Sequence, residues 1–309
     1  MAVKRCRPQI CSARPHGPRP RRIPRYNGAM TDPTPSDSLR VAIAGVAGRM
    51  GRQLVGAALD SGLSVTGGSE APASEHLADD IGELAGRRLL DLKPATDPVA
   101  AASNADVWID FTRPAATLAA LDSLKHTSVR AVIIGTTGFS DAEEAEIAHA
   151  AQSLAIVKAG NFSVGINLLQ ALTRMAADRL GPDWDIEILE THHRRKVDAP
   201  SGTALMVGEA AAAGRGKPLS ELRAAPYDGP DARRRAGSIG FAVRRSGGVI
   251  GEHEVSFGSD MEILTLSHTA LDRAVFAHGA LGAAAWAVQQ DPGLYDMNDV
   301  LGLSGNALA

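Results

Sequence analysis

"LRVAIAGVAGRMGRQLVGAALDSG", residues 39–62, decides the fold. It opens with "VAIAG", a short apolar run without alternation, which fits a strand buried on both faces of a parallel sheet. From Gly48 the spacing turns helical, with Met50, Leu54, Val55 and Leu59 on one face, and Gly62 ends the helix. "LSVTGGSE", residues 63–70, reads as a second strand and completes a β–α–β unit.

Three more strand–helix alternations extend the pattern. "ADVWIDF" is a strand with a helix after Pro114, and "VRAVIIG" is a strand with a helix through "DAEEAEIAHAAQ". "LAIVKAG" is followed by the helix "GINLLQALTRMAADRL". Such alternation predicts an α/β architecture on a Rossmann-like, doubly wound parallel sheet. Near residue 183 the texture changes. "WDIEILETHH", "SIGFAVRR", "VIGEHEVSFGS" and "MEILTLSHTA" read as strands, with one clear helix at "GTALMVGEAAAAG". Strands that follow one another without helices predict a second, α+β domain with an antiparallel or mixed sheet. "RAVFAHGALGAAAWAVQQ" is helical again and is expected to return to the first domain.

Composition narrows the function classes. With 4% aromatic residues the chain lacks the rings for a base-stacking surface, so no nucleic-acid partner is expected. No apolar run reaches the roughly 18–20 residues of a membrane span, and a cytoplasmic enzyme is expected. Residues 1–30 carry eight Lys and Arg and no acid, leaving about −11 on the rest of the chain. Both cysteines, Cys6 and Cys11, also lie there, so the remaining chain has neither disulfides nor cysteine metal sites. Residues 1–37 are read as a disordered basic extension. It lacks the Ser-rich, amphipathic pattern of a transit peptide and the apolar core of a secretory signal. A nucleic-acid-binding arm is the functional alternative, and an upstream start with Met30 as the true first residue is the plainer reading.

Two stretches carry chemistry. "GVAGRMG", Gly45 to Gly51, sits at a strand–helix junction, where glycines admit a pyrophosphate to open helix N–H groups. Taken alone it is also an ordinary tight turn. Glu70 ends the next strand, placed to hold a ribose hydroxyl, and "GTTGF" (135–139) and "AGNFSVG" (159–165) are further strand-end loops. The second stretch is "ETHHRRKVDAPSGTA", residues 190–204, which gathers His192, His193, Arg194, Arg195 and Lys196 before a helix capped by Ser201 or Thr203, with Gly202 exposing its amide. Cations beside a helix N-terminus suit a carboxylate. Lys196 is a candidate proton donor if neighbouring cations and burial lower its pKa. Adjacent His192 and His193 cannot readily share one ion and no third ligand has suitable spacing, so no metal is expected. His253, His268 and His278 read as structural.

The motifs "GVAGRMGR", "IDFTRP", "VIIGTTGF", "GNFSVGIN", "HHRRKVDAPSGTA" and "GEHEV" occur in the order found in the 4-hydroxy-tetrahydrodipicolinate (dihydrodipicolinate) reductase family, which this chain resembles over about residues 39–303. The resemblance implies NADH- or NADPH-dependent reduction of a cyclic dicarboxylate in lysine and diaminopimelate biosynthesis. It implies that Lys196 donates a proton, with His192 as acid/base or electrostatic partner. His193, Ser201, Gly202 and Thr203 would hold the carboxylates. Gly45, Val46, Ala47, Gly48, Arg49, Met50, Glu70, Gly135, Thr136, Thr137, Ala159, Gly160, Asn161 and Phe162 would line the cofactor. It implies a dinucleotide domain over 38–163 and 273–309, and a substrate domain over 164–272 whose open sheet builds a homotetramer. One departure stands out: where family members that use both cofactors often carry an arginine after the acid, this chain has Ala71, so NADH is expected to be preferred. A non-catalytic dinucleotide sensor and a related NAD(P)-dependent amino-acid dehydrogenase are the competing readings. The presence of His192 and Lys196 opposes the first, and the basic cluster with "APSGT" opposes the second.

Overall fold

A computed structural model describes residues 38–303; the basic extension, the Met30 start and the last six residues lie outside the described part. The first sheet contains β1 (Arg40–Ala44), β2 (Ser64–Ser69), β3 (Val107–Asp110), β4 (Ala131–Ile134), β5 (Ala155–Lys158) and β10 (Gly293–Tyr295). Its order is β10-β5-β4-β3-β1-β2, every pair parallel. β3 and β4 are buried at every residue, because helices cover both faces.

The helices of this part are α1 (Arg49–Asp60), α2 (Ile81–Leu84), α3 (Pro98–Ala101), α4 (Pro114–Leu124) and α5 (Asp141–Ala150). On one face Trp108, Val132, Ile134 and Ile156 meet Ala120, Leu121, Leu124 and Ile147 of α4 and α5. On the other, Val41, Ile43, Ile109 and Ile133 meet Leu54 and Val55 of α1 and the alanine-rich α9 (Ala274–Ala287). The late helix therefore does return to the first sheet. The sixth strand, β10, and the helix α10 (Met297–Leu301) after it add to the sequence reading.

The second sheet holds β6 (Asp185–His192), β7 (Ile239–Arg245), β8 (Gly251–Gly258) and β9 (Ile263–Ala270) in the order β7-β6-β8-β9. β6 and β7 are parallel and the other pairs antiparallel, so the sheet is mixed. α6 (Val164–Leu180) and α7 (Gly202–Gly214) cover one face, burying Ile186, Ile188, Val255 and Phe257 against Ile166, Leu169, Val207 and Ala211, with the one-turn α8 (Leu219–Leu222) at the margin. β8 alternates buried and accessible residues, as a strand covered on one side must. No described helix is long and apolar enough to cross a membrane.

Candidate functional site

At the carboxyl end of β1 the chain turns through Gly45, whose φ of +59° is a conformation that disfavours side chains. A Cβ at Gly51 would overlap the Gly45 carbonyl and the Val46 backbone, so the helix can start tight against the loop only as glycine. The N-cap of α1, Gly48, has no capping side chain, and the first turn has no acid. Those helix-start amides, free of carboxylate neighbours in the first turn, fit a dinucleotide pyrophosphate. Glu70 reaches this loop. Its carboxylate accepts the Ala47 N–H at 2.8 Å and the Ala71 N–H at 3.2 Å. Arg52 donates to the Ala47 carbonyl at 2.7 Å, bracing the same residue.

The next strand ends meet there, with a division of labour invisible in sequence. Thr136 is buried, and its hydroxyl is engaged with Asp110 at 3.2 Å, the Thr117 hydroxyl at 3.0 Å and the Thr112 N–H at 3.0 Å. Its side chain ties strand ends together, and Asp110, which the motifs did not single out, is the acceptor at the centre. Val46 and Phe162 are likewise buried, Phe162 with its ring 5.3 Å from that of Phe111, while Gly48, Arg49, Thr137 and Gly160 are exposed. Gly45, Met50, Gly135, Ala159 and Asn161 are half-buried, and Ala47 is nearly covered. Asn161 donates to Thr203 Oγ1 at 3.1 Å, linking this loop to the second stretch read from sequence.

The five cations of that stretch do not form one positive patch. His192 ends β6 facing inward, its Nδ1 2.5 Å from the buried Glu190 carboxylate. His193 is half-buried, and desolvation, with Arg195, Arg273 and His192 nearby, lowers its pKa. Arg194 and Arg195 are exposed. Lys196 was expected among cations, but its ammonium lies 2.8 Å from the Asp198 carboxylate, whose pKa that hydrogen bond lowers. The chain then passes a cis Ala199–Pro200 peptide. Ser201 caps α7, accepting the Ala204 N–H at 3.1 Å, and its hydroxyl lies 3.2 Å from His253 Nε2. The Ser201 hydroxyl is thus engaged by the fold, and the exposed Gly202 and half-buried Thr203 stand at a helix start without acidic residues.

Behind the loop lies a network that sequence reading missed. Arg245 meets both oxygens of Glu190, at 2.8 and 2.9 Å, and the Ser201 N–H donates to the same carboxylate at 3.0 Å. Burial pushes the Glu190 pKa up, but Arg245, His192 and Ser201 together outweigh it and hold it below the usual value. His253 is pushed down to about 4, first by desolvation and then by His192. One signal was available: Glu190 and His192 are two apart on a strand and so share a face. Arg245 is a cross-strand partner, paired in register with His192, and has no local signature. Among the described residues no group of three or more His, Cys, Asp or Glu is placed to hold a metal ion.

A parallel sheet with a glycine-lined helix start, beside a mixed sheet that carries a histidine- and lysine-bearing loop, is the architecture of a dinucleotide-binding enzyme. Residues 39–162 match the family model "Dihydrodipicolinate reductase, N-terminus", and residues 165–301 match "Dihydrodipicolinate reductase, C-terminus". The chain belongs to the dihydrodipicolinate reductase family. It is 49% identical over 272 residues to the 4-hydroxy-tetrahydrodipicolinate reductase of Parvibaculum lavamentivorans, covering 86% of this chain and 98% of that one. With the enzyme of the same name from Cereibacter sphaeroides the identity is 47% over 270 residues, covering 87% and 100%. Among solved structures, the dipicolinate-bound dihydrodipicolinate reductase of Paenisporosarcina sp. TG-14 shares the fold, with a TM-score of 0.66 at 24% identity over 84% of this chain and 98% of that one. An amine dehydrogenase from Mycobacterium smegmatis also shares it, with a TM-score of 0.59 at 16% identity over 84% and 94%.

Proposed function

We propose that this chain reduces 4-hydroxy-tetrahydrodipicolinate to tetrahydrodipicolinate, with NADH preferred over NADPH, in lysine and diaminopimelate biosynthesis. The observation that carries the reading is the Asn161–Thr203 hydrogen bond, which joins the loops assigned to the cofactor to the helix start assigned to the substrate. The reaction replaces a ring hydroxyl by hydrogen, so a hydride and a proton enter and water leaves. When bound, the nicotinamide supplies the hydride.

The protein's own residues do the rest. Lys196, oriented by Asp198, donates the proton, and His192 is its acid/base or electrostatic partner. The helix start at Gly202 and Thr203, with His193, holds the substrate carboxylates, while Ser201 shapes that start as its cap. At the other end the helix-start amides of Arg49 and Met50 hold the pyrophosphate, the Val46, Ala47 and Gly48 N–H groups being taken by Ser69, Glu70 and Gly45. Gly135 to Thr137 and Ala159 to Phe162 close the cofactor site, Thr136 and Phe162 from beneath. Glu70 favours a ribose hydroxyl and repels a 2′-phosphate, and Ala71 offers no compensating cation; the exposed Arg49 moderates the preference. In this reading residues 38–163 with 273–309 are the dinucleotide domain and 164–272 the substrate domain. By the same reading the sheet face away from α6 and α7, where Thr265, Ser267 and Thr269 of β9 lie exposed, is where copies of the chain join into a homotetramer. The site of action is the cytoplasm.

The test is cofactor oxidation by the full chain, with the unstable substrate generated in place by the preceding synthase from pyruvate and aspartate semialdehyde. Synthase-dependent oxidation, faster with NADH, is expected. Absence of oxidation with both cofactors, in protein that binds NADH, would overturn the reading.

A further inference from the structure

We propose that Glu190 and Arg245 form a positioning pair that fixes which nitrogen of His192 exchanges protons and sets His192, Lys196 and the α7 cap at fixed spacing. The proposal deepens the reading above and rests on it for the role of His192. Four nitrogens converge on the Glu190 carboxylate: His192 Nδ1, both terminal nitrogens of Arg245, and the Ser201 N–H. A carboxylate held ionised by that set accepts only, so the nitrogen facing it must carry hydrogen. Nδ1 therefore keeps its proton whatever the charge on the ring, and exchange is confined to Nε2. Gly251 leaves room on that side, since a Cβ there would stand 3.1 Å from Nε2.

Arg245 extends the arrangement. Besides Glu190, its guanidinium donates to the Asp198 carbonyl at 2.6 Å, and the side chain of Asp198 holds Lys196. One ion pair, its carboxylate buried and its guanidinium partly exposed, thus spans both proton-handling residues and the residue that starts the substrate helix. Stabilisation alone explains the pair poorly, because desolvation of the buried Glu190 carboxylate offsets the attraction. Fixing geometry is the return that the arrangement explains. Lysine in place of Arg245 lacks the planar fork that meets two oxygens and a carbonyl together.

The experiment measures ¹⁵N chemical shifts of His192 in the full-length wild type and in Glu190→Gln and Glu190→Asp variants, alongside kcat and the NADH Kd. In the wild type Nδ1 is expected to be protonated throughout the pH range of activity. In Glu190→Gln the amide presents N–H groups to the ring, and the proton is expected to move to Nε2. kcat should then fall about 100-fold, with the NADH Kd within about twofold of wild type because the cofactor loops are untouched. Glu190→Asp should restore the Nδ1–H form and part of kcat. A wild-type ring protonated at Nε2 alone would overturn the proposal even if the glutamine variant failed to fold. So would a Glu190→Gln enzyme with a switched tautomer and undiminished kcat. The shifts are read without turnover, so a wild type inactive in the coupled assay would refute the reductase reading separately from the Glu190 inference.

Discussion

The two ends of the proposed active site are built from different materials. The dinucleotide end is mostly backbone: a glycine turn, an uncapped helix start and hydroxyls consumed in holding strand ends together, with Glu70 as the acid brought to the loop. The substrate end is mostly charged side chains, with Glu190, His192, Arg245, Lys196 and Asp198 joined over a few ångströms. A cofactor of constant shape can be met by fixed amides, whereas a ring that must gain a proton needs groups that hold and release one. The contrast teaches that substitutions at the two ends should fail in different ways.

The largest separation is expected at Lys196. Lys196→Ala should lower kcat about 100- to 1,000-fold while leaving the NADH Kd nearly unchanged, as steady-state kinetics and fluorescence titration would show. Near-normal turnover would remove the proton-donor role.

Acid should separate the two ends next. His193, His253 and His268 all have pKa values lowered by desolvation, His253 to about 4. The unfolded chain then binds more protons than the folded one between about pH 6.5 and 4, so stability falls as pH drops through that window. His253 alone corresponds to on the order of 3 kcal/mol. Hydrogen exchange at pH 7 and pH 5 should show protection lost in residues 185–270 before residues 40–160. Equal loss in both would break the comparison.

A backbone-built end should be sensitive to volume instead. Gly51→Ala places a methyl group against the Gly45 carbonyl, an overpacking worth about 1–3 kcal/mol. The expected result is an NADH Kd raised about tenfold or more with kcat at saturating NADH little changed. The smallest effect belongs to Ala71→Arg, which adds one exposed cation beside Glu70. Relative use of NADPH over NADH should rise about fivefold, the worth of roughly 1 kcal/mol. An unchanged ratio of kcat/KM values would take Glu70 and Ala71 out of the specificity argument.

How much was legible in sequence follows the same division. The β–α–β unit from Arg40 to Ser69, the later alternations and the loops at strand ends are local patterns, and each appears where its spacing placed it. β10 did not announce itself, since three residues, Gly293 to Tyr295, become a strand only by pairing with Ala155 to Val157. At the site, the residue types of the basic stretch were readable but their partners were not. Lys196 faces an acid two residues away rather than further cations, and Thr136 turns its hydroxyl inward. Arg245 reaches Glu190 across 55 residues of chain, a separation no local pattern encodes.

The position of α9 has a consequence for synthesis. One apolar face of the first sheet is closed by a helix that begins at Ala274, after the whole second sheet. A ribosome adding about 5–20 residues per second needs roughly 5–20 s to travel from Ser163 to that helix. During that interval Ile109, Ile133 and Val157 of β3, β4 and β5 lack their α9 partners, so the sheet that begins the fold is the last part of it to close. A nascent chain arrested near residue 270 leaves that apolar face of the first sheet open.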